Sequence, residues 1–409
     1  MSFLQFFIWG SWLITIGAYW FQNKGWSGSD FGELFSTLGI ASLIMPAIIG
    51  IIADKWMNAE KLLGLLHILG GFVLFCLPMV DDSKTIYWVM LLNMLCYMPT
   101  ISLSNAVSYS ALKGANYDVI KAFPPIRVWG TIGFIVAMWT VSLLHQEKSA
   151  NQFYIASAAA FILGLYSFTL PKCKPEKETR DKKSILEKLG LEAITLFRQY
   201  KMIMFFFFAM LLGAALQLTN MYGDTFLHDF TKYPEFAETL TVRYPAIIMS
   251  ISQISETLFI LAIPFFLNRF GIKRVMLFSM FAWVLRFGLF AYGDPGQGLW
   301  MIILSCIVYG MAFDFFNISG SLFVETETSP KIRASAQGLF MMMTNGLGAF
   351  LGSKLSGWLI DMYFTAPDGA KNWQQIWLSF AIYSLIVAVL FVILFRHSHK
   401  SVNIERINH

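Results

Sequence analysis

Stretches of about 20 almost uninterrupted apolar residues recur along the whole chain, which is the length a helix needs to cross a hydrocarbon core at 1.5 Å rise per residue. They run near 2–22, 32–53, 61–80, 86–110, 123–145 and 152–170, then near 201–226, 245–267, 273–292, 298–323, 334–361 and 373–396. The pattern predicts an all-α integral membrane protein with twelve transmembrane helices. The first stretch has no basic leader and no small-residue cleavage site behind it, so it reads as the first span and not as a removable signal. One conspicuous polar break, Pro171 to Gln199, carries Lys172, Lys174, Lys177, Arg180, Lys182 and Lys183 among acids. It divides the spans into two six-helix halves, residues 1–170 and 201–409, joined by a basic linker over 171–200.

Composition agrees with a lipid environment. The 409 residues are 56% hydrophobic and 13% charged with a mean hydropathy of +0.59, against about 25% charged in soluble domains. The net charge of +5 describes topology and not a nucleic-acid partner, because the basic residues are unevenly placed. The odd-numbered loops hold only Lys24, Lys84, Lys148, Lys232, Arg243 and Lys371, while the even-numbered loops and the tail hold most of the rest. Positive charge favours the cytoplasmic side, so both termini and the linker are expected there. Cys76, Cys96 and Cys306 fall in spans and Cys173 in the linker, with no disulfide or metal spacing. The six His residues form no ligand motif, and neither a phosphate loop nor a nucleophile elbow is present. No cofactor, no metal, no enzymatic activity and no obligate protein partner is expected. A membrane-embedded acid-base enzyme and a flux-free receptor are the rivals from other classes.

A weak internal repeat supports the halves. Gly50-Ile-Ile-Ala-Asp54-Lys55 leads out of span 2 and Pro264-Phe-Phe-Leu-Asn268-Arg269-Phe-Gly271-Ile-Lys273-Arg274 leads out of span 8. Both resemble the short loop signature of the major facilitator superfamily, although Met57 replaces the glycine in the first copy and Glu60 intrudes among its bases. That resemblance implies a midplane substrate site and alternating access. Gly348 with Gly352, and Gly130 with Gly133, are spaced for close helix approach. The run Phe205 to Phe208 reads as lipid-facing bulk.

An ionisable side chain near the bilayer centre costs about 2.5–3.5 kcal/mol on insertion scales, so each one inside a span needs a partner, water or a task. Arg127, Thr131 and Phe134 stand at i, i+4 and i+7 on one face of span 5, close enough to its start for Arg127 to snorkel. Span 7 carries Gln217, Asn220 and Asp224, the last near its outer end and expected at the interface. Span 8 carries Gln253 and Glu256, and span 10 carries Tyr309, Phe313, Asp314 and Asn317. Three helices each bringing amides or an acid to mid-depth point to a shared polar cavity, with interhelical hydrogen bonding as the alternative. Amides can read a base edge, carboxylates accept from sugar hydroxyls and aromatic rings stack on a base. One cation, Arg127, against two acids disfavours nucleotides and phosphate esters.

Four longer segments carry a further resemblance: Phe123-Pro-Pro-Ile-Arg127-Val-Trp-Gly-Thr-Ile-Gly-Phe134, Met249-Ser-Ile-Ser-Gln253-Ile-Ser-Glu256, Phe313-Asp-Phe-Phe-Asn-Ile-Ser-Gly320 and Ile332-Arg-Ala-Ser-Ala-Gln-Gly338. Together they resemble the nucleoside:proton symporter family over almost the whole chain. The resemblance implies inward, proton-driven uptake of purine and pyrimidine nucleosides across the bacterial inner membrane. It also implies substrate contacts from Arg127, Thr131 and Phe134 in the first half, and from Gln217, Asn220, Gln253, Glu256, Tyr309, Phe313 and Asp314 in the second. The family pattern can have an acid at the position of Ala215, which this chain lacks. Asp314 and Glu256, with Arg127 as a modulating charge, are the candidates for proton coupling. A symporter of sugars or another small polar metabolite is the alternative.

Overall fold

The computed structural model describes residues 1–173, 191–329 and 332–395. Most of the expected linker (174–190) and the C-terminal tail (396–409) lie outside the described residues. Among the described residues the regular structure is helical, apart from one isolated bridge, Thr365 with Lys371.

In the first half α1 is Ser2–Gly10, continued by turns, by Ile16–Ala18 and by a π-helical segment Tyr19–Lys24 that ends at Gly25 with φ 66°. There follow α2 (Gly28–Lys55), α3 (Ala59–Cys76), α4 (Ser83–Gly114), α5 (Val119–Leu143) and α6 (Asn151–Ser167). Side chains mark the helix starts: Ser27 Oγ accepts from the Asp30 N–H at 3.1 Å and Asp82 Oδ2 from the Thr85 N–H at 2.8 Å, satisfying donors that a helix leaves open.

The second half holds α7 (Tyr200–Asp229), preceded by a 3-10 segment Leu191–Arg198. Next comes a continuous 48-residue segment, Pro245–Tyr292, interrupted at Gly271 with φ 75° and ψ 167°. It divides into α8, residues 245–270, and α9, residues 272–292. Then come α10 (Leu299–Glu327), α11 (Arg333–Met341, a π-helical turn Met342–Gly348, Ala349–Leu359 and a second π turn Ile360–Phe364) and α12 (Trp373–Leu394). Each of the twelve expected spans coincides with one of these segments. The backbone at Gly271 explains the glycine of the loop signature, because a side chain at that positive φ would be strained. The first copy needs none, since Met57, at the glycine's place, does not adopt a positive φ. Glu60, the intruding acid, is buried at the start of α3 and accepts the Cys173 N–H at 2.9 Å, so it anchors the chain leaving α6.

The described residues form two compact units, 1–173 with Asn220–Thr225, and 191–219 with the described residues from Phe226 to 395. Within the first, α1 docks on α5 through the expected glycines: a Cβ on Gly133 would strike the Phe3 carbonyl, and one on Gly130 would lie 2.7 Å from the Phe6 ring. Gln5 ties α1 to α3 and α4, donating to Thr100 Oγ1 at 2.7 Å and meeting His67 Nε2 at 2.8 Å, while the Tyr97 hydroxyl donates to its backbone carbonyl at 2.6 Å. Within the second, α7 and α11 touch backbone to backbone, since a Cβ on Gly352 would lie 2.6 Å from Ala214 Cα and one on Gly213 or Gly348 would collide with the carbonyl of Thr344 or Met210. The α11 residue Gln337 meets Ser321 of α10 through both ends of its amide, and Arg333 pairs with Glu325 at 2.8 Å.

Lipid is the solvent this surface requires. On α12 Ile382, Leu385, Ile386, Val389 and Ile393 form an exposed stripe at helical spacing, while Trp377, Phe380, Ala381, Ser384, Ala388 and Phe391 are buried on the other side. Exposed apolar area on this scale is foreign to a water-soluble monomer. Among the described residues eight helices, the 48-residue segment among them, are long and apolar enough to cross a membrane. The reading of Phe205 to Phe208 as lipid-facing is corrected: only Phe207 is exposed, at 38%. At 100° per residue four consecutive side chains cannot share one side, and three of these turn inward, Phe205 to Phe316, Phe323 and Phe340, Phe206 to Phe197, Phe208 to Phe391. Asp224 is buried within the protein, and α7 continues to Asp229 beyond it.

Candidate functional site

The first unit brings the predicted α5 residues onto one face. The Arg127 guanidinium lies 4.2 Å over the Phe6 ring of α1, which gives the cation an aromatic seat in addition to its helix position. Thr131 is half-buried one turn on. Phe134 is buried with its ring edge-on to Trp9, at 6.5 Å and 85°. A Cβ on Gly10 would sit 2.6 Å from the Phe134 carbonyl, so this stretch of α5 is fixed by close backbone contact with α1.

In the second unit the organising contact is the crossing of α8 and α10. A Cβ on Gly310 would fall 2.6 Å from the Ser255 carbonyl and 2.8 Å from the Glu256 nitrogen, and the Ser255 hydroxyl donates to the Ile307 carbonyl. Glycine at 310 therefore lets the two backbones meet beside Glu256. The same crossing puts Glu256 within electrostatic reach of both Tyr309 and Asp314. Tyr309 and Phe313, four apart on α10, stack in parallel at 5.9 Å and 9°, and Trp283 of α9 stands perpendicular to Tyr309 at 5.9 Å and 90°.

Three acceptor oxygens here are buried and accept from no described residue: Gln217 Oε1 on α7, Gln253 Oε1 on α8 and Asp314 Oδ2 on α10. Buried acceptors in this state cost stability, and all three belong to predicted site residues. Asn220, one turn beyond Gln217, is half-buried and groups with the first unit by contact. Beside the aromatic stack lies a small recess lined among others by Leu216, Trp283, Phe313, Asn317, Thr344 and Asn345. Of the predicted binding residues it includes Phe313.

Arg286 was missed. It lies mid-way along α9 and is completely buried, with Nη1 donating to the Ser305 carbonyl at 2.7 Å and to Ser252 Oγ at 3.4 Å, and Nε to Thr219 Oγ1 at 3.2 Å. The expectation of Arg127 as the one mid-membrane cation is corrected on this point. The signal was present, a lone charge inside the apolar run Trp283-Val-Leu-Arg286-Phe-Gly, and the cost rule applied to Arg127 applies equally here. Chemically, the second unit offers a flat aromatic plate, amide and carboxylate acceptors and two acids within electrostatic reach of each other.

The chain matches the family model described as nucleoside H+ symporter over residues 1–400. It is 56% identical over 410 residues to xanthosine permease of Escherichia coli K12, covering 100% of this chain and 97% of that one. It is 52% identical over 403 residues to nucleoside permease NupG of the same strain, covering 98% and 96%. The crystal structure of the nucleoside transporter NupG superposes with a TM-score of 0.91, covering 97% of this chain and 98% of that one. The fold is the major facilitator fold, and the relatives are permeases and transporters, not enzymes. The chain belongs to the nucleoside H+ symporter family.

Proposed function

We propose that this protein imports purine and pyrimidine nucleosides with protons across the bacterial inner membrane by alternating access, with both termini in the cytoplasm. The observation that carries the reading is the family match along residues 1–400. Residue chemistry supports it. In this reading Gln217, Asn220 and Gln253 hydrogen-bond the nucleoside, the Tyr309–Phe313 plate stacks on its base, and Glu256 and Asp314 accept from ribose hydroxyls. Arg127, Thr131 and Phe134 contribute from the first half. Two acids within electrostatic reach of one another can hold a proton that is gained and lost in the cycle. Asp314 is the favoured carrier, since its motif is the densest around any acid, and Glu256 serves mainly in binding.

The test is transport by purified protein in proteoliposomes. Labelled uridine, adenosine and xanthosine should exchange in counterflow, an inwardly directed proton gradient should drive accumulation, and ribose or uracil alone should not compete. Asp314→Asn should abolish gradient-driven accumulation while exchange persists, and Glu256→Gln should mainly weaken binding. Absence of counterflow for all three nucleosides would sink the substrate reading. Accumulation that survives both substitutions would remove these acids from coupling.

A further inference from the structure

Arg286 has an arrangement that ion pairing does not account for. Its guanidinium is fully buried, and among the described residues no carboxylate lies within salt-bridge distance. Burying a cation without a counter-charge is expensive, and neutral hydrogen bonds recover only part of that cost. Three of its neighbours come from three different helices: Thr219 of α7, Ser252 of α8 and Ser305 of α10, whose hydroxyl also donates back to the Arg286 carbonyl at 2.9 Å. Nη2 meets no acceptor among the described residues. What the charge does meet is aromatic: Cζ stands 4.7 Å over the Tyr309 ring and 5.1 Å over Phe290.

A desolvated cation over an aromatic face is strongly attracted to it. Here the fork of hydrogen bonds from α7, α8 and α10 fixes the guanidinium plane, and that plane fixes Tyr309. Tyr309 in turn lies parallel to Phe313, which lines the recess. Lysine would supply the charge but not a planar fork able to hold three helices at once.

We propose that Arg286 is the positioning residue of the nucleoside site: it holds Tyr309 by its ring face and so sets the Tyr309–Phe313 plate on which the base stacks. This rests on the reading that Tyr309 contacts the substrate. Arg286 itself is held away from the nucleoside, and acts through Tyr309 alone.

The experiment is a double-mutant cycle read as uridine binding to purified full-length protein by calorimetry, with thermal midpoint and monodispersity followed alongside. Arg286→Met and Tyr309→Leu should each weaken binding by roughly tenfold, and the double variant should bind no more weakly than Tyr309→Leu alone. Arg286→Lys should fall between the parent and Arg286→Met. Should Arg286→Met fail to assemble, Ser252→Ala and Thr219→Val, which loosen the guanidinium and leave Arg286 in place, should each weaken binding in the parent and have no effect beside Tyr309→Leu. Parent-like binding in Arg286→Lys together with Ser252→Ala and Thr219→Val would overturn the proposal, as would a full tenfold loss from Arg286→Met added on top of Tyr309→Leu. If Tyr309→Leu alone binds uridine like the parent, it is the site reading that fails, and the proposal with it.

Discussion

A buried acceptor without an internal donor is a liability to the folded protein and an asset to a ligand that brings the donor. Gln217 and Gln253 each present such an oxygen, and an N–H or O–H arriving from a nucleoside would satisfy it at a net gain of about 0.5–1.5 kcal/mol, up to roughly tenfold in affinity. Gln217→Ala and Gln253→Ala should therefore each weaken uridine binding by about threefold to tenfold while leaving the thermal midpoint of the unliganded protein unchanged or slightly raised. A residue that only glued helices together would show the opposite, a lowered midpoint with unchanged binding. Calorimetry and a melting curve on the same samples decide. The candidate residues were legible because polar groups in apolar spans are few, and helical spacing gathers them on faces. Arg286 was harder to read because its partners are hydroxyls and a carbonyl on three other helices, which have no sequence signature.

At the scale of elements, glycine spacing gave the helix crossings their most readable trace. Gly130 and Gly133 meet α1, and Gly348 and Gly352 meet α7, as the close-approach reading expected. Gly310, which sets the α8–α10 crossing beside Glu256, stands alone among larger residues and has no such pattern. Burial of α7 was misread for a related reason: hydrophobicity alone cannot say which apolar side chains face lipid and which face protein, since both surroundings are apolar. Only the neighbours decide, as they do for Phe205, Phe206 and Phe208. The contact predicts a sharp contrast between two glycines. Gly352→Ala drives a methyl onto Ala214 backbone, and should destabilise the protein by about 1–3 kcal/mol, a clear fall in thermal midpoint. Gly288→Ala, in α9 where nothing lies within 4 Å of the added carbon, should leave the midpoint unchanged or raise it. Equal midpoints for the two variants would contradict the α7–α11 backbone contact.

For the whole molecule, the count and order of helices follow from length and hydropathy, but orientation rests on the unequal placement of Lys and Arg. On that bias we propose that the segment after α6 is cytoplasmic and the loop between α11 and α12 external. The native thiol nearest the first of these, Cys173, makes a poor reporter. It is 9% exposed, its N–H is held by Glu60, its Sγ lies 3.4 Å from the Pro171 carbonyl, and burial pushes the thiol up from its ordinary value. Because the thiolate is the reactive form, both effects slow its labelling from either side of the membrane. The neighbouring Lys172 is exposed, and so is Asp368 in the α11–α12 loop. In a Cys173→Ser background, Lys172→Cys should react with an impermeant maleimide in inverted vesicles and remain unlabelled in intact cells opened only at the outer membrane. Asp368→Cys should do the reverse. The two sites report opposite faces, so a general permeability artefact would label both in both preparations, and a failure to fold would label neither selectively. Labelling of Lys172→Cys from outside together with Asp368→Cys from inside would invert the topology, and with it the direction in which the proton gradient drives the substrate through the site.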